Sequence, residues 1–257
     1  MPFTSHKLMT AAALSVAMQF AGAAPAEPAA LPLARNIVIV PDAFTDGSSW
    51  HVVHDILSHK GYRVTVVPAT HTSLDADVSM TRRILFQQIG KVVLVGHGIG
   101  GSVIGHAGSG AKIGALVYVA ALAPEVGENA LQLLRAVPTQ GAAIKPDWSG
   151  VYWADRARWQ SDFGADLSPN RASFFAASQV PMYQDFAGTP SYAALWHSKP
   201  SYAIVASADR FLSPETQRMM YQRAHAKVVE LAASHAVHVS RPEDVAKVIE
   251  QAALDTF

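Results

Sequence analysis

Short, mainly apolar runs rich in β-branched side chains recur along the chain. Between them lie longer stretches in which apolar residues return every three or four positions. The short runs, at 36–40, 62–67, 91–95, 113–120, 200–206 and 227–231, predict strands, with the one at 36–40 buried. The run at 91–95 shows no polar alternation, which implies a strand covered on both faces. The longer stretches predict helices over 50–60, 74–89, 100–107, 213–223 and 242–254. Strands that alternate with helices imply an α/β fold, a mostly parallel sheet with helices on both faces. Between 124 and 199 the alternation stops. That segment holds Trp148, Trp153, Trp159 and Trp196, four of the five tryptophans, among many turn signals. A stretch this long and this aromatic reads as an inserted helical cap over the C-terminal edge of the sheet, where open α/β folds bind ligands.

Composition narrows the function classes. Half of the 257 residues are hydrophobic, enough for one well-buried domain over 36–257. Twenty basic residues balance twenty acidic ones, so no basic stripe exists to hold nucleic acid, and a small neutral or mixed ligand is expected instead. The absence of cysteine excludes a disulfide framework, a thiol nucleophile, a cysteine zinc site and a lipoprotein anchor. At the N-terminus His6 and Lys7 precede an apolar run at 8–20, and Ala21-Gly22-Ala23 then offers small residues for cleavage. This layout predicts a signal peptide over 1–24 and a proline-containing tether over 25–35. The expected location is periplasmic or secreted, with no membrane anchor after cleavage, because the apolar run is short for a span.

The chemistry centres on Gly96-His97-Gly98-Ile99-Gly100-Gly101, which follows a predicted strand and opens a helix. The glycines fit the dinucleotide pattern G-x-G-x-x-G. That pattern needs an acidic residue about 20 positions on, at the end of the next strand. Here that strand ends in Tyr118-Val119-Ala120-Ala121-Leu122, with no acid before Glu125. The alternative is the sharp strand-to-helix turn G-x-S-x-G of serine hydrolases, with Gly98 in the nucleophile's place.

Several segments carry one resemblance. The run VVLVGHGIGGSVIGHA at 92–107 resembles the elbow of bacterial esterases in the small methylesterase and hydroxynitrile-lyase branch of the α/β hydrolases. AFTDGSSW at 43–50, VYVAALAPEVG at 117–127, SQVP at 178–181, ASADR at 206–210 and SHAV at 234–237 resemble further segments of the same branch. The resemblance runs from about residue 36 to the end. It implies an α/β-hydrolase fold with Asp209 as the acid, His235 as the catalytic histidine and Gly98 where the serine would stand. It also implies an oxyanion hole made by the backbone N–H groups of Ala43 and Ile99. Phe44, Asp42, His97 and Trp196 are expected to line the substrate pocket. This chain has Pro41-Asp42 where the branch usually has His-Gly, and a carboxylate there would oppose an oxyanion if it pointed inward.

Glycine closes the acyl-enzyme route, since that route runs through the serine oxygen. What the residues leave open is weak hydrolysis of small carboxylic esters by a water that His235 activates, placed in the space vacated by the side chain. Two other readings remain: noncatalytic binding of a small apolar ligand, or a lyase or oxygenase reaction that uses the Asp209–His235 pair without a cofactor. No cofactor and no metal is expected. His51 and His54, three apart on a predicted helix, lack a third ligand and read as surface residues. Ser102, one turn past Gly98, reads as structural, and His238 as a possible neighbour of His235.

Overall fold

A computed structural model describes residues 1–2, 35–108, 111–141 and 144–256. The expected signal peptide over 1–24 and tether over 25–35 fall almost wholly outside the described residues. Six parallel strands form the central sheet: β1 (Asn36–Val40), β2 (Arg63–Val66), β3 (Val92–Gly98), β4 (Ile113–Ala121), β7 (Ser201–Ala206) and β8 (Lys227–Leu231). A separate antiparallel pair, β5 (Val151–Tyr152) and β6 (Met182–Tyr183), lies in the segment predicted to be a cap. The fold is that of an α/β hydrolase, with a mostly parallel sheet flanked by helices.

The sheet order is β2-β1-β3-β4-β7-β8. The chain therefore leaves β1 toward one edge and β3 toward the other. Their C-terminal ends open into the crevice where such sheets place ligands. Val40 pairs with Gly96 and Gly98 with Ala121, so the residues after β1 and the end of β3 meet at this crevice.

The absence of polar alternation in β1 and β3 follows from two cores. Val38, Val40 and Leu94 pack on one face with Leu74, Val78, Val103 and Ile104 of the helices Leu74–Gln87 and Gly100–Ala107. Ile37, Ile39, Val93 and Val95 pack on the other with Val53, Leu57, Val245 and Ile249 of His51–His59 and Pro242–Leu254. Local signals fix the helix starts. Ser73 accepts the Ala76 N–H at 3.1 Å, and Pro242 takes the first position of the last helix, where its missing N–H costs nothing.

The segment 124–199 is not purely helical. It contains the short helices Ala130–Leu134, Trp159–Phe163, Pro169–Ser178 and Gln184–Gly188 together with the β5–β6 pair. Three bonds tie it to the loop after β1: Phe44 donates its N–H to the Val180 carbonyl at 2.7 Å, the Val180 N–H donates to the Thr45 carbonyl at 3.4 Å, and the Trp159 indole donates to the Phe44 carbonyl at 2.8 Å. These bonds hold Phe44 in a left-handed conformation, φ 63°. Strain of that kind persists only where the surroundings fix it.

Candidate active site

β3 ends at Gly98 in a left-handed conformation, φ 51°, and the helix Gly100–Ala107 begins two residues later. A side chain at this position would stand above the sheet. The neighbour that fills that volume is Asp42. A Cβ built on Gly98 would lie 2.0 Å from the Asp42 carboxyl carbon and 2.0 and 2.3 Å from its oxygens. The space expected to be open for water is therefore taken by a carboxylate from the opposite wall of the crevice.

Asp42 is fully buried and makes two charge-assisted contacts. Its Oδ1 accepts the Ile99 N–H at 2.7 Å, and its Oδ2 faces His235 Nε2 at 2.9 Å. The expected oxyanion hole is thus changed: the Ile99 donor is already committed to Asp42. The Ala43 N–H has no hydrogen-bond partner among the described residues. The other side of His235 meets Asp209, with Nδ1 and Oδ2 at 2.6 Å. Asp209 follows β7 and His235 follows β8, so topology brings both to the end of the sheet where Gly98 lies.

Asp209 is held by more than the histidine. The backbone N–H groups of Phe211 and Leu212 donate to its Oδ1 at 2.8 and 2.9 Å. Gln217 Nε2 donates to Oδ2 at 2.8 Å, and Gln217 Oε1 accepts the Ala206 N–H at 3.0 Å. Sequence reading missed Gln217. Its signal was faint: a glutamine eight residues beyond Asp209, near the start of a predicted helix.

The electrostatics follow from burial and charge order. Burial opposes a charge on His235, but Asp209, and then Asp42, outweigh it and push its pKa up to about 10. Burial likewise opposes the Asp42 carboxylate, yet the His235 hydrogen bond and charge leave its pKa below the ordinary value. With its pKa raised, His235 favours the imidazolium form where it sits between Asp42 and Asp209, 1 % exposed at the histidine and 0 % at Asp42.

His97 does not line the cap side. Along β3 it shares the face of Val93 and Val95, where it contacts Trp50 and His238 at ring separations of 6.1 and 4.3 Å. Burial lowers its pKa to about 4, so the ring is neutral and its Nε2–H donates to the His235 carbonyl at 3.0 Å. The expected pocket role is corrected to support from behind: His97 holds the loop that carries His235. His238 stacks on Trp50 at 4.5 Å, and its Nε2 meets the Ser49 hydroxyl at 3.0 Å.

Trp196 is also displaced from its expected role. Its indole donates to the Pro124 carbonyl at 3.0 Å, and its ring packs against His197 and Arg223. Those neighbours line a separate depression with Glu125, Lys199 and His225. Ser102 is buried in the helix after the turn, and its hydroxyl has no partner among the described residues. His54 bonds the adjacent Asp55 at 3.0 Å.

Aromatic rings close the site from the cap side. Phe211 and Phe163 meet the His235 ring edge-on at 4.9 and 5.7 Å and stack on each other at 4.3 Å, and Phe44 packs against both. Phe44 lies among these rings. Phe163 and Phe211 were not anticipated at the site. Phe211 also lines a cavity of about 280 Å³, together with Leu131, Leu134, Ile144, Met182 and Arg135. A metal is one thing the cluster could hold, since ligand atoms of Asp42, His97 and His235 lie within 4.8 Å of one another. Those groups already bond each other, with His97 turned to a carbonyl.

The chain belongs to the Alpha/beta hydrolase family, which it matches over residues 27–248. Among solved structures it is similar to a pyrethroid hydrolase from Sphingobium faniae JZ-2, at 24% identity and a TM-score of 0.69, over 86% of this chain and 97% of that one. It is also similar to polyneuridine aldehyde esterase (17% identity, TM-score 0.71, 85% and 98% covered). An extracellular α/β-hydrolase from a Paenibacillus species gives 15% identity and a TM-score of 0.71, with 86% and 99% covered. At these identities the likeness concerns the fold. No curated protein matches the sequence.

Proposed function

We propose that this protein is an esterase-like hydrolase of a small, largely apolar molecule, with Asp42, His235 and Asp209 as its reacting groups. The observation that supports this most is the double engagement of Asp42. One oxygen sits on the histidine and the other on the N–H that a serine hydrolase aims at its oxyanion. Asp209 fixes the His235 ring, as the acid of a triad does. The mainly apolar cavity that Phe211 lines, and the contact of the Phe211 ring with His235, support an apolar substrate that reaches His235 by movement of the aromatic rings.

Direct activation of water by His235 is slow near neutrality on this reading. An imidazolium with a pKa of about 10 is a poor base until the pH approaches that value. A second reading, noncatalytic ligand binding, draws on the complete burial of Asp42 and His235. Export, suggested by the N-terminal pattern, belongs to the same proposal, and N-terminal sequencing of the mature protein tests it.

The functional test is hydrolysis of p-nitrophenyl butyrate by the protein, by His235→Ala and by Asp42→Ala. The expected result is slow turnover, rising from pH 7 toward pH 10, that both substitutions abolish. Turnover indifferent to both removes the proposed centre. An inert protein that apolar esters nevertheless stabilise against heating favours binding.

A further inference from the structure

The loop after β2 holds a second buried histidine–carboxylate pair, one that takes no part in the centre at His235. His71 and Asp77 are each 1 % exposed, and His71 Nδ1 donates to Asp77 Oδ2 at 2.8 Å. Asp77 is fixed as an acceptor, since the Thr70 N–H donates to its Oδ1 at 2.9 Å and the His71 N–H to its Oδ2 at 3.2 Å. With Nδ1 committed to the carboxylate, Nε2 carries the free lone pair of the neutral ring. It has no hydrogen-bond partner among the described residues.

His71 lines a cavity of about 240 Å³ that shares none of its described lining residues with the cavity at Phe211. Val66, Ala69 and Val180 supply apolar wall, and Thr45 and Asp46 line it as well. Thr45 is 3 % exposed, and its hydroxyl too lacks a partner among the described residues. Buried polar groups in folded proteins are nearly always paired, so two unpaired ones around one cavity point to a partner from outside. A mostly apolar cavity with a few polar groups is the ordinary form of a small-ligand site.

We propose that this cavity is a second ligand site, and that it takes a small neutral molecule with one apolar ring and one hydroxyl group, a phenol in chemical class. An apolar cavity of about 150 Å³ takes up benzene, so about 240 Å³ has room for a ring with a substituent. A hydroxyl is the polar group that fits: its O–H donates to His71 Nε2, and its oxygen accepts from the Thr45 hydroxyl. Asp46 on the cavity wall and Asp77 behind the imidazole oppose an anion. An ammonium would bring three donors against valine walls, and Asp46 already accepts from the Ser48 N–H and hydroxyl. Pro41 and Thr45 both line the cavity, and Asp42 and Phe44 lie between them in the chain. The Tyr183 N–H donates to the His71 carbonyl at 3.0 Å, which ties the same loop to the cap segment. An occupant therefore packs against both ends of the loop that carries Asp42.

Phenol, toluene and benzylamine test this. Protein labelled with nitrogen-15 at histidine is titrated with each, and the ring-nitrogen signals are followed. The His71 signal is assigned by its loss in His71→Asn, since asparagine tolerates the left-handed backbone there, φ 52°. If that variant does not fold, the nuclear Overhauser contact with Phe186, which meets the ring edge-on at 5.8 Å, assigns it instead. Phenol is expected to shift His71 Nε2 saturably and to bind about tenfold tighter than toluene, the worth of its hydrogen bonds. Ala69→Phe, which fills the cavity from a half-buried position, should abolish that shift and leave the His235 signal in place. Phenol that leaves His71 unshifted, or that shifts only His235, overturns the site. Toluene that binds as tightly as phenol, or benzylamine that binds more tightly, overturns the ligand class.

Discussion

Restoring the serine should fail when attempted alone and succeed when Asp42 is removed with it. In Gly98→Ser the new Cβ would lie 2.0 Å from the Asp42 carboxyl carbon, where about 3.4 Å is ordinary contact, so the carboxylate must leave its seat. It would then lose the Ile99 N–H and His235 while remaining buried. Breaking a buried ion pair in this way costs about 3–5 kcal/mol. The left-handed backbone at position 98, φ 51°, adds about 1–2 kcal/mol for a residue with a side chain. A loss of about 4–7 kcal/mol is comparable with the whole stability of many domains, about 5–15 kcal/mol. In a protein of this size it corresponds to a fall of roughly 10 °C or more in Tm. In Asp42→Gly/Gly98→Ser the overlap disappears and mainly the backbone strain remains. The double variant should therefore be more stable than Gly98→Ser, with a coupling above about 2 kcal/mol. The assay is urea unfolding of the parent, Gly98→Ser, Asp42→Gly and the double variant, joined to burst kinetics with p-nitrophenyl butyrate. The double variant should show an acyl-enzyme burst and Gly98→Ser none. Additive unfolding energies, or a Gly98→Ser protein as stable as its parent, would refute the placement of Asp42 in the nucleophile's seat.

The charge triad also predicts a pH dependence of stability. The folded pKa of His235, about 10, lies above the ordinary 6.5, so its contribution is complete below about pH 6.5 and is lost as pH rises through about 10. The folded pKa of Asp42 is depressed, so its contribution is present above about pH 4 and fades as pH falls through the lowered value. Urea midpoints should fall between pH 6.5 and 10, and less steeply in Asp42→Asn; equal slopes would sink the assignment. Gln217→Leu should cost about 1–3 kcal/mol, because it strands the buried Ala206 N–H and removes a donor from Asp209. A loss under about 0.5 kcal/mol in urea unfolding would mean that Gln217 does not hold the acid.

Much of this protein is written in its local sequence. The apolar run at 36–40 coincides with β1, and the periodic stretch at 242–254 coincides with a helix. Such elements are legible because a strand covered on both faces, or a helix with one apolar side, needs only neighbours in the chain to declare itself. The resemblance to the esterase branch singled out Gly98, Asp209 and His235, and the strands legible before them put each at a strand end. The facing of side chains was not legible. His97 was expected in the pocket, yet alternation along β3 turns it to Trp50, and Trp196 belongs to the Arg223 side. Above all, the sequence presented Gly98 as a loss and Asp42 as an awkward neighbour, 56 positions apart. Only the adjacency of β1 and β3 in the sheet makes them one feature, because the missing Cβ is the room that the carboxylate fills. A contact between residues distant in the chain depends on strand order and register, and no local pattern encodes either.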